Sequence, residues 1–330
     1  MRVQCPPRLT LAGLAGVALA LLLPVRVAAA AQIDWPSRSG LPWHSGVTHV
    51  YDRFEAWRGR PLDVYVTWHP HRTWDEIREA NAGTVGRRLL GKPGRLSMGI
   101  AMLPRTHRGQ FAECGRGDFD DHYRTVAQRL VEWGRADAIL RIGWEANGSG
   151  FPWNILGDVD NYVACFRRIV EVMRAVSADF VIDWTMRKST AGLGARPVTD
   201  AWPGDDVVDI VGVNYYDGWP AYDTERAWRR DLEAHEHGGP RGLQAWLDFA
   251  RSKGKKLSVS EWGLRRRASS DNPLYIEMML TFFRDNAADI AYEAYFNPQS
   301  EAGRAEYSIY PPENNPLAAA KYLQMMGAPG

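Results

Sequence analysis

Along the chain, short apolar runs alternate with longer stretches in which apolar residues recur every three or four positions. The runs read as strands at Leu62–Trp68, Leu96–Leu103, Ala138–Trp144, Phe180–Thr185, Val207–Asn214, Lys256–Ser260 and Ile290–Phe296, with a weaker one at Gly46–Tyr51. The longer stretches read as helices at Phe119–Trp133, Tyr162–Val176, Leu243–Ser252 and Pro273–Asn286. In the second of these, Tyr162, Phe166, Ile169, Val170 and Met173 fall on one face. Near-continuous apolar strands separated by helices imply a parallel sheet covered by helices. Eight such units close into a single α/β (β/α)8 TIM barrel. The rival, a doubly wound open sheet, lacks support because no G-x-G-x-x-G turn follows an early strand.

The first residues do not fit this rhythm. Arg2 and Arg8 form a basic segment, Leu9–Leu23 is an apolar run, and the small residues Ala28–Ala31 follow Val27. That order is a secretory signal, cleaved after Ala29, Ala30 or Ala31. A membrane anchor is the competing reading, but the run is shorter than the ~20 residues a spanning helix needs. Residues 1–31 are therefore expected to be a leader and 32–330 one barrel domain, undivided by any Pro/Gly/Ser-rich linker. The expected location is secreted or periplasmic, with no stable membrane insertion after cleavage. There, Cys114 and Cys165 either pair as one disulfide or stay as two buried thiols.

Composition narrows the function. Lys plus Arg, 40, nearly cancels Asp plus Glu, 39, and no basic stripe is visible, so no nucleic-acid partner is expected. Trp, at 14, outnumbers Phe, at 10. Each indole N–H needs a partner when buried, so this surplus suggests a surface that stacks on flat, partly polar ligands.

Active sites of such barrels gather at the C-terminal ends of the strands. The fourth strand ends in Trp144-Glu145 and turns at Asn147-Gly148; the seventh ends in Glu261-Trp262; the sixth ends in Asn214-Tyr215-Tyr216-Asp217; the eighth ends in Phe296-Asn297. Two carboxylates on facing strands, each beside a Trp, suit glycoside hydrolysis, in which one acts as acid and base and the other as nucleophile or base. A solvated rim residue is the plain alternative for either one alone. His69 and His71, or His235 and His237, lack a third ligand at telling spacing, and neither a metal nor an organic cofactor is expected. Arg265–Arg267 follow Glu261 closely enough to reach the site or to form a solvated loop. Ser258 and Ser260 have no G-x-S-x-G elbow around them.

The segment "RIGWEANGSGFPW" resembles the "R-x-x-H-E-M-N-G … W" segment of glycoside hydrolase family 26, the β-mannanase family, and "VDIVGVNYYD" resembles that family's strand-six segment. The likeness runs in order from about Leu96 to Phe296. It implies a (β/α)8 barrel with Glu145 as acid/base and Glu261 as nucleophile, in a retaining endo-β-glycosidase of the mannan endo-1,4-β-mannosidase kind. It also implies substrate contacts from Arg141 and Asn147, a cleft-lining Trp153, and Tyr216 bonded to the nucleophile. Trp144, Trp153, Trp219 and Trp262 are candidates for stacking on sugars. Two departures stand out: Trp144 replaces the family's usual His, and Asn214 replaces an Asp. The implied partner is a polysaccharide, a β-mannan or related β-glycan; separately, the chain is expected to be a monomer. The alternatives are a hydrolase of the producer's own exopolysaccharide and a barrel that binds polysaccharide without cleaving it.

Overall fold

The structure is a computed structural model that describes residues 35–79, 89–155, 157–189, 196–218, 221–265, 271–298 and 305–327, with Met1 and Ile33. The expected leader, apart from Met1, lies outside these residues, as do Trp219, Arg266 and Arg267. No helix among the described residues is long and apolar enough to cross a membrane.

Eight parallel strands close a barrel: β1 (Ser45–Thr48), β2 (Val64–Trp68), β3 (Arg95–Ile100), β4 (Ile139–Ile142), β5 (Val181–Arg187), β6 (Ile210–Tyr216), β7 (Lys256–Gly263) and β8 (Ile290–Phe296). Each pairs with its neighbour in chain order, and β1 pairs with β8 to complete the ring. The expected TIM barrel is therefore the fold. Helices α1 (Tyr51–Arg58), α2 (Trp74–Glu79), α3 (Phe111–Arg116), α4 (Asp120–Glu132), α5 (Val159–Arg174), α6 (Glu225–Leu232), α7 (Leu243–Ser252), α8 (Pro273–Asp285) and α9 (Pro316–Met326) wrap it. Between β5 and β6 the described residues contain only a 3-10 turn, Val198–Ala201.

Local chemistry explains the helix starts. At α8 the Asn272 side chain accepts from the Tyr275 N–H at 3.2 Å and Pro273 supplies a preset first turn. At α6 Thr224 caps through the Ala227 N–H. The apolar face of α5 buries Tyr162, Phe166, Ile169, Val170 and Met173. Cys165 on α5 and Cys114 on α3 form a disulfide.

Strand ends differ informatively from the sequence pattern. β4 stops at Ile142, two residues before Trp144, because Gly143 and Glu145 take left-handed conformations, φ 57° and 55°. β7 runs three residues beyond Ser260, so Glu261 lies within the strand. Its pairing with β6 shifts register between Gly212 and Asn214. A carboxylate can occupy that strand position because it faces a buried cation across the barrel.

Two layers fill the barrel axis. Val64, Val66, Ile139, Val181, Ile210, Ala291, Tyr292 and Ala294 cluster as apolar packing. A buried polar group is built on Asp183, which accepts from Ser258 Oγ, Thr185 Oγ1 and Tyr292 Oη, each at 2.7 Å. Burial raises Asp183 above the usual carboxylate range, opposed by these three donors. Gly212 leaves the room they need: a Cβ there would collide with Asp183, Ser258 and Thr185.

Candidate active site

Glu145 stands on the turn after β4, and several bonds hold that turn. Its N–H donates to the Thr185 carbonyl at 2.9 Å, and its carbonyl accepts from the Gly148 N–H at 2.8 Å. Asn147 clamps the turn to β5: Nδ2 donates to the Arg187 carbonyl at 2.8 Å, and Oδ1 accepts from the Arg187 N–H at 2.9 Å. A left-handed Glu costs about 1–3 kcal/mol and persists only where the surroundings over-determine it. Here the turn aims the carboxylate at the end of β6, where Asn214 Nδ2 donates to Oε1 at 2.9 Å.

Glu261 is nearly sealed, with 6% of the residue exposed. Arg141, fully buried on β4, donates to Oε1 at 2.7 Å, and Trp68 at the end of β2 donates its indole N–H to the same oxygen at 2.8 Å. Tyr216, the last residue of β6, donates to Oε2 at 3.2 Å. Burial first, and the charge of Glu261 second, raise the Tyr216 phenol well above its ordinary range, so it keeps the proton it donates. Arg141 also reaches Ser260 Oγ and the Thr67 carbonyl, both at 3.2 Å. Ser260 in turn donates to Asn214 Oδ1 at 3.0 Å, so Asn214 links the two glutamates through one short chain.

The environments are unequal. Burial raises Glu145 above the usual carboxylate range, and the nearby charge of Glu261 raises it further; the Asn214 bond and the charges of Arg187 and Arg141 oppose both. Glu145, Glu261, Asn214, Tyr216, Phe296 and Tyr307 share the wall of one open cavity of about 610 Å³ at the C-terminal end of the barrel.

The three described candidates for stacking, Trp144, Trp153 and Trp262, are buried and do not line the cavity. Trp262, adjacent to Glu261 on β7, points to the opposite side of the strand because side chains alternate. It is fully buried and donates to Glu293, packing on Tyr295 and Phe283. Trp153 is also fully buried: its N–H donates to the Trp144 carbonyl at 2.9 Å, and its ring stacks on Phe151 at 4.8 Å. Trp144, 5% exposed, packs against Trp153 at 4.6 Å and covers Gly99. Together they buttress the Glu145 turn from behind. Asn147, likewise buried, fastens that turn and does not line the cavity. The tryptophan that bonds to a site carboxylate is instead Trp68, which the sequence left without a role although it closes an expected strand. Arg187 was missed for a related reason: β5 runs two residues past the expected end at Thr185.

The fold and the two glutamates at its mouth define a (β/α)8 barrel with a paired-carboxylate site. No protein-family profile matches the chain. It is 27% identical over 284 residues to endoglucanase H of Acetivibrio thermocellus, covering 83% of this chain and 28% of that protein. The chain spans under half the length of the other curated relatives it matches. Among solved structures it is similar to a Cellulomonas fimi endo-β-1,4-mannanase double mutant, with TM-score 0.63, 17% identity and coverage of 92% of this chain and 76% of that one. It is also similar to the catalytic domain of a glycoside hydrolase family 26 endo-β-1,4-mannanase from Bacillus sp. JAMB-750, with TM-score 0.58, 13% identity and 88% coverage of each chain. The barrel is thus of the kind found in glycoside hydrolase family 26.

Proposed function

We propose that this chain is a retaining endo-β-glycanase, with Glu145 as acid/base and Glu261 as nucleophile, exported by the leader at residues 1–31. The observation that carries the reading is the asymmetry of the two glutamates on one cavity wall. Glu145 is held toward its protonated form by burial and by its charged neighbour. Glu261 accepts three hydrogen bonds, one of them from a buried arginine, and Arg141, Trp68 and Tyr216 together fix its orientation.

In the first step Glu145 gives its proton to the glycosidic oxygen as the bond to the anomeric carbon breaks. A Glu261 oxygen bonds to that carbon from the opposite face. Glu145, now charged, takes a proton from water; the hydroxide oxygen bonds to the anomeric carbon and Glu261 leaves. The endo and β assignments draw support from the endoglucanase and endomannanase among the similar proteins.

The test is to incubate protein lacking residues 1–31 with oligosaccharides from mannans, β-glucans, xylans and bacterial exopolysaccharides, and to follow product length and anomeric configuration by NMR. Internal cleavage with retained configuration is expected, and Glu261→Ala should abolish it with folding intact. Inverted product, or full turnover by Glu261→Ala, refutes the assignment.

A further inference from the structure

The cavity holding the two glutamates is bordered on one side by positive charge. Arg187, Lys188, Arg241 and Arg265 all line it, and apart from the two site carboxylates the acidic side chain on its wall is Glu236. Two of these cations are engaged within the protein. Lys188 Nζ lies 2.6 Å from Asp231, over the rings of Tyr215 and Tyr222, and Arg241 meets the same aspartate at 3.1 Å. Arg187 and Arg265 differ. Neither guanidinium forms an ion pair among the described residues, although Arg187 is half-buried and Arg265 exposed, both on the cavity wall. Arg187 closes β5, beside the Glu145 turn, and its charge acts on Glu145. Arg265 follows β7, two residues past its end, on the Glu261 side.

Among the described residues the charges on this wall do not cancel. Arg141 offsets Glu261, burial disfavours the charged form of Glu145, Asp231 is shared by two cations, and Glu236 adds one further negative charge against the four lining cations. Two arginines therefore remain directed at a cavity that a neutral glycan would fill with hydroxyl groups. A guanidinium fork matches a carboxylate or sulfate with two parallel hydrogen bonds, and such bonds are roughly twice as strong as those to neutral oxygens.

Resting on the glycanase reading above, we propose that the substrate is an anionic β-glycan, with sugar units whose carboxylate or sulfate groups are held by Arg187 and Arg265. The site then favours such chains over neutral mannan, glucan and xylan, whose hydroxyl groups offer the two arginines only the weaker bonds to neutral oxygens.

Matched pairs test this. Glu145→Gln protein, which keeps the uncharged form of that side chain, is titrated calorimetrically with β-1,4-mannuronate hexamer against mannohexaose. The same is done with β-1,4-glucuronate hexamer against cellohexaose, and sulfated β-1,3-glucan hexamer against the unsulfated chain. At low salt the charged member of at least one pair is expected to bind about tenfold tighter, an advantage that shrinks in 0.5 M salt. Preference confined to the sulfated pair identifies sulfate as the group; preference in a uronate pair identifies carboxylate. Arg187→Gln and Arg265→Ala should each weaken the charged hexamer by about tenfold and bring the within-pair ratio toward one. Equal or better binding of the neutral member in every pair, no binding of any hexamer, or an unchanged ratio in both arginine variants overturns the proposal. If a charged hexamer binds but the unsubstituted protein cleaves none, catalysis fails and anion recognition stands.

Discussion

Asn214 donates to Glu145 and accepts from Ser260, so a change there acts on the acid directly. Asn214→Asp is nearly isosteric, and Ser260 can still donate to it. It replaces an N–H donor, 2.9 Å from Glu145 Oε1, by a second carboxylate. Two unit charges about 4 Å apart at an effective dielectric near 20 repel by about 4 kcal/mol. Loss of a hydrogen bond to the charged form adds about 1.5–3 kcal/mol in the same direction. Sharing of one proton between the two carboxyls absorbs part of this, so the titration belongs to the pair. The expected result is that the proton held by the pair persists about three pH units higher than the Glu145 proton of the unsubstituted protein. The measurement is a ¹³C NMR titration of glutamate side-chain carboxyls, assigned with Glu145→Gln, and it needs no substrate. Asn214→Ala removes the donor without adding charge and should move Glu145 in the same direction by less. A midpoint in Asn214→Asp at or below that of the unsubstituted protein would show that Asn214 does not govern the acid.

The other predictions concern stability. Glu293, buried against Trp43 and Trp262, is pushed from 4.5 up to about 7, chiefly by burial. Its folded-state pKa lies above the unfolded one, so its stabilising contribution is full below about 4.5 and lost as pH rises through about 7. The loss is about 3 kcal/mol, and Glu293→Gln should flatten that part of a urea-denaturation profile against pH; an unchanged profile contradicts the assignment. The Cys114–Cys165 disulfide spans a sequence separation of 51, and reducing it should lower stability by about 4 kcal/mol on the chain-entropy account, read from the urea midpoint with and without reductant. Gly212→Ala drives a methyl group into the hydrogen bonds around Asp183 and should cost about 3 kcal/mol; a neutral result would mean that the barrel interior can give way there.

Much of this was legible because strand and helix periodicities are local. All eight strands were recoverable to within a few residues, and reading each to its end singled out Glu145, Glu261 and Tyr216. The misplacements share a cause. Trp262 stands next to Glu261 in the chain, yet alternation along β7 sends it to the helix-covered side, where it meets Glu293. Trp144 lies within, and Trp153 follows, a turn whose path depends on left-handed Gly143 and Glu145, which a pattern of apolar residues does not register. Trp68 and Arg187 end strands just as Tyr216 does, but nothing local distinguishes an aromatic or cationic rim residue from a working one.

The amino-acid sequence by itself determined the alternation of strands and helices, and hence the barrel and the rim on which its chemistry stands, because hydrophobic burial repeats with the period of each element. Only the tertiary structure decided which rim residues meet. Arg141 and Glu261 are 120 residues apart, and their 2.7 Å contact depends on ring closure and on the register of β6 against β7. Charge compensation is likewise a property of distances in space, which is why Arg187 and Arg265 meet on the wall of the cavity that holds both glutamates only once the barrel is closed.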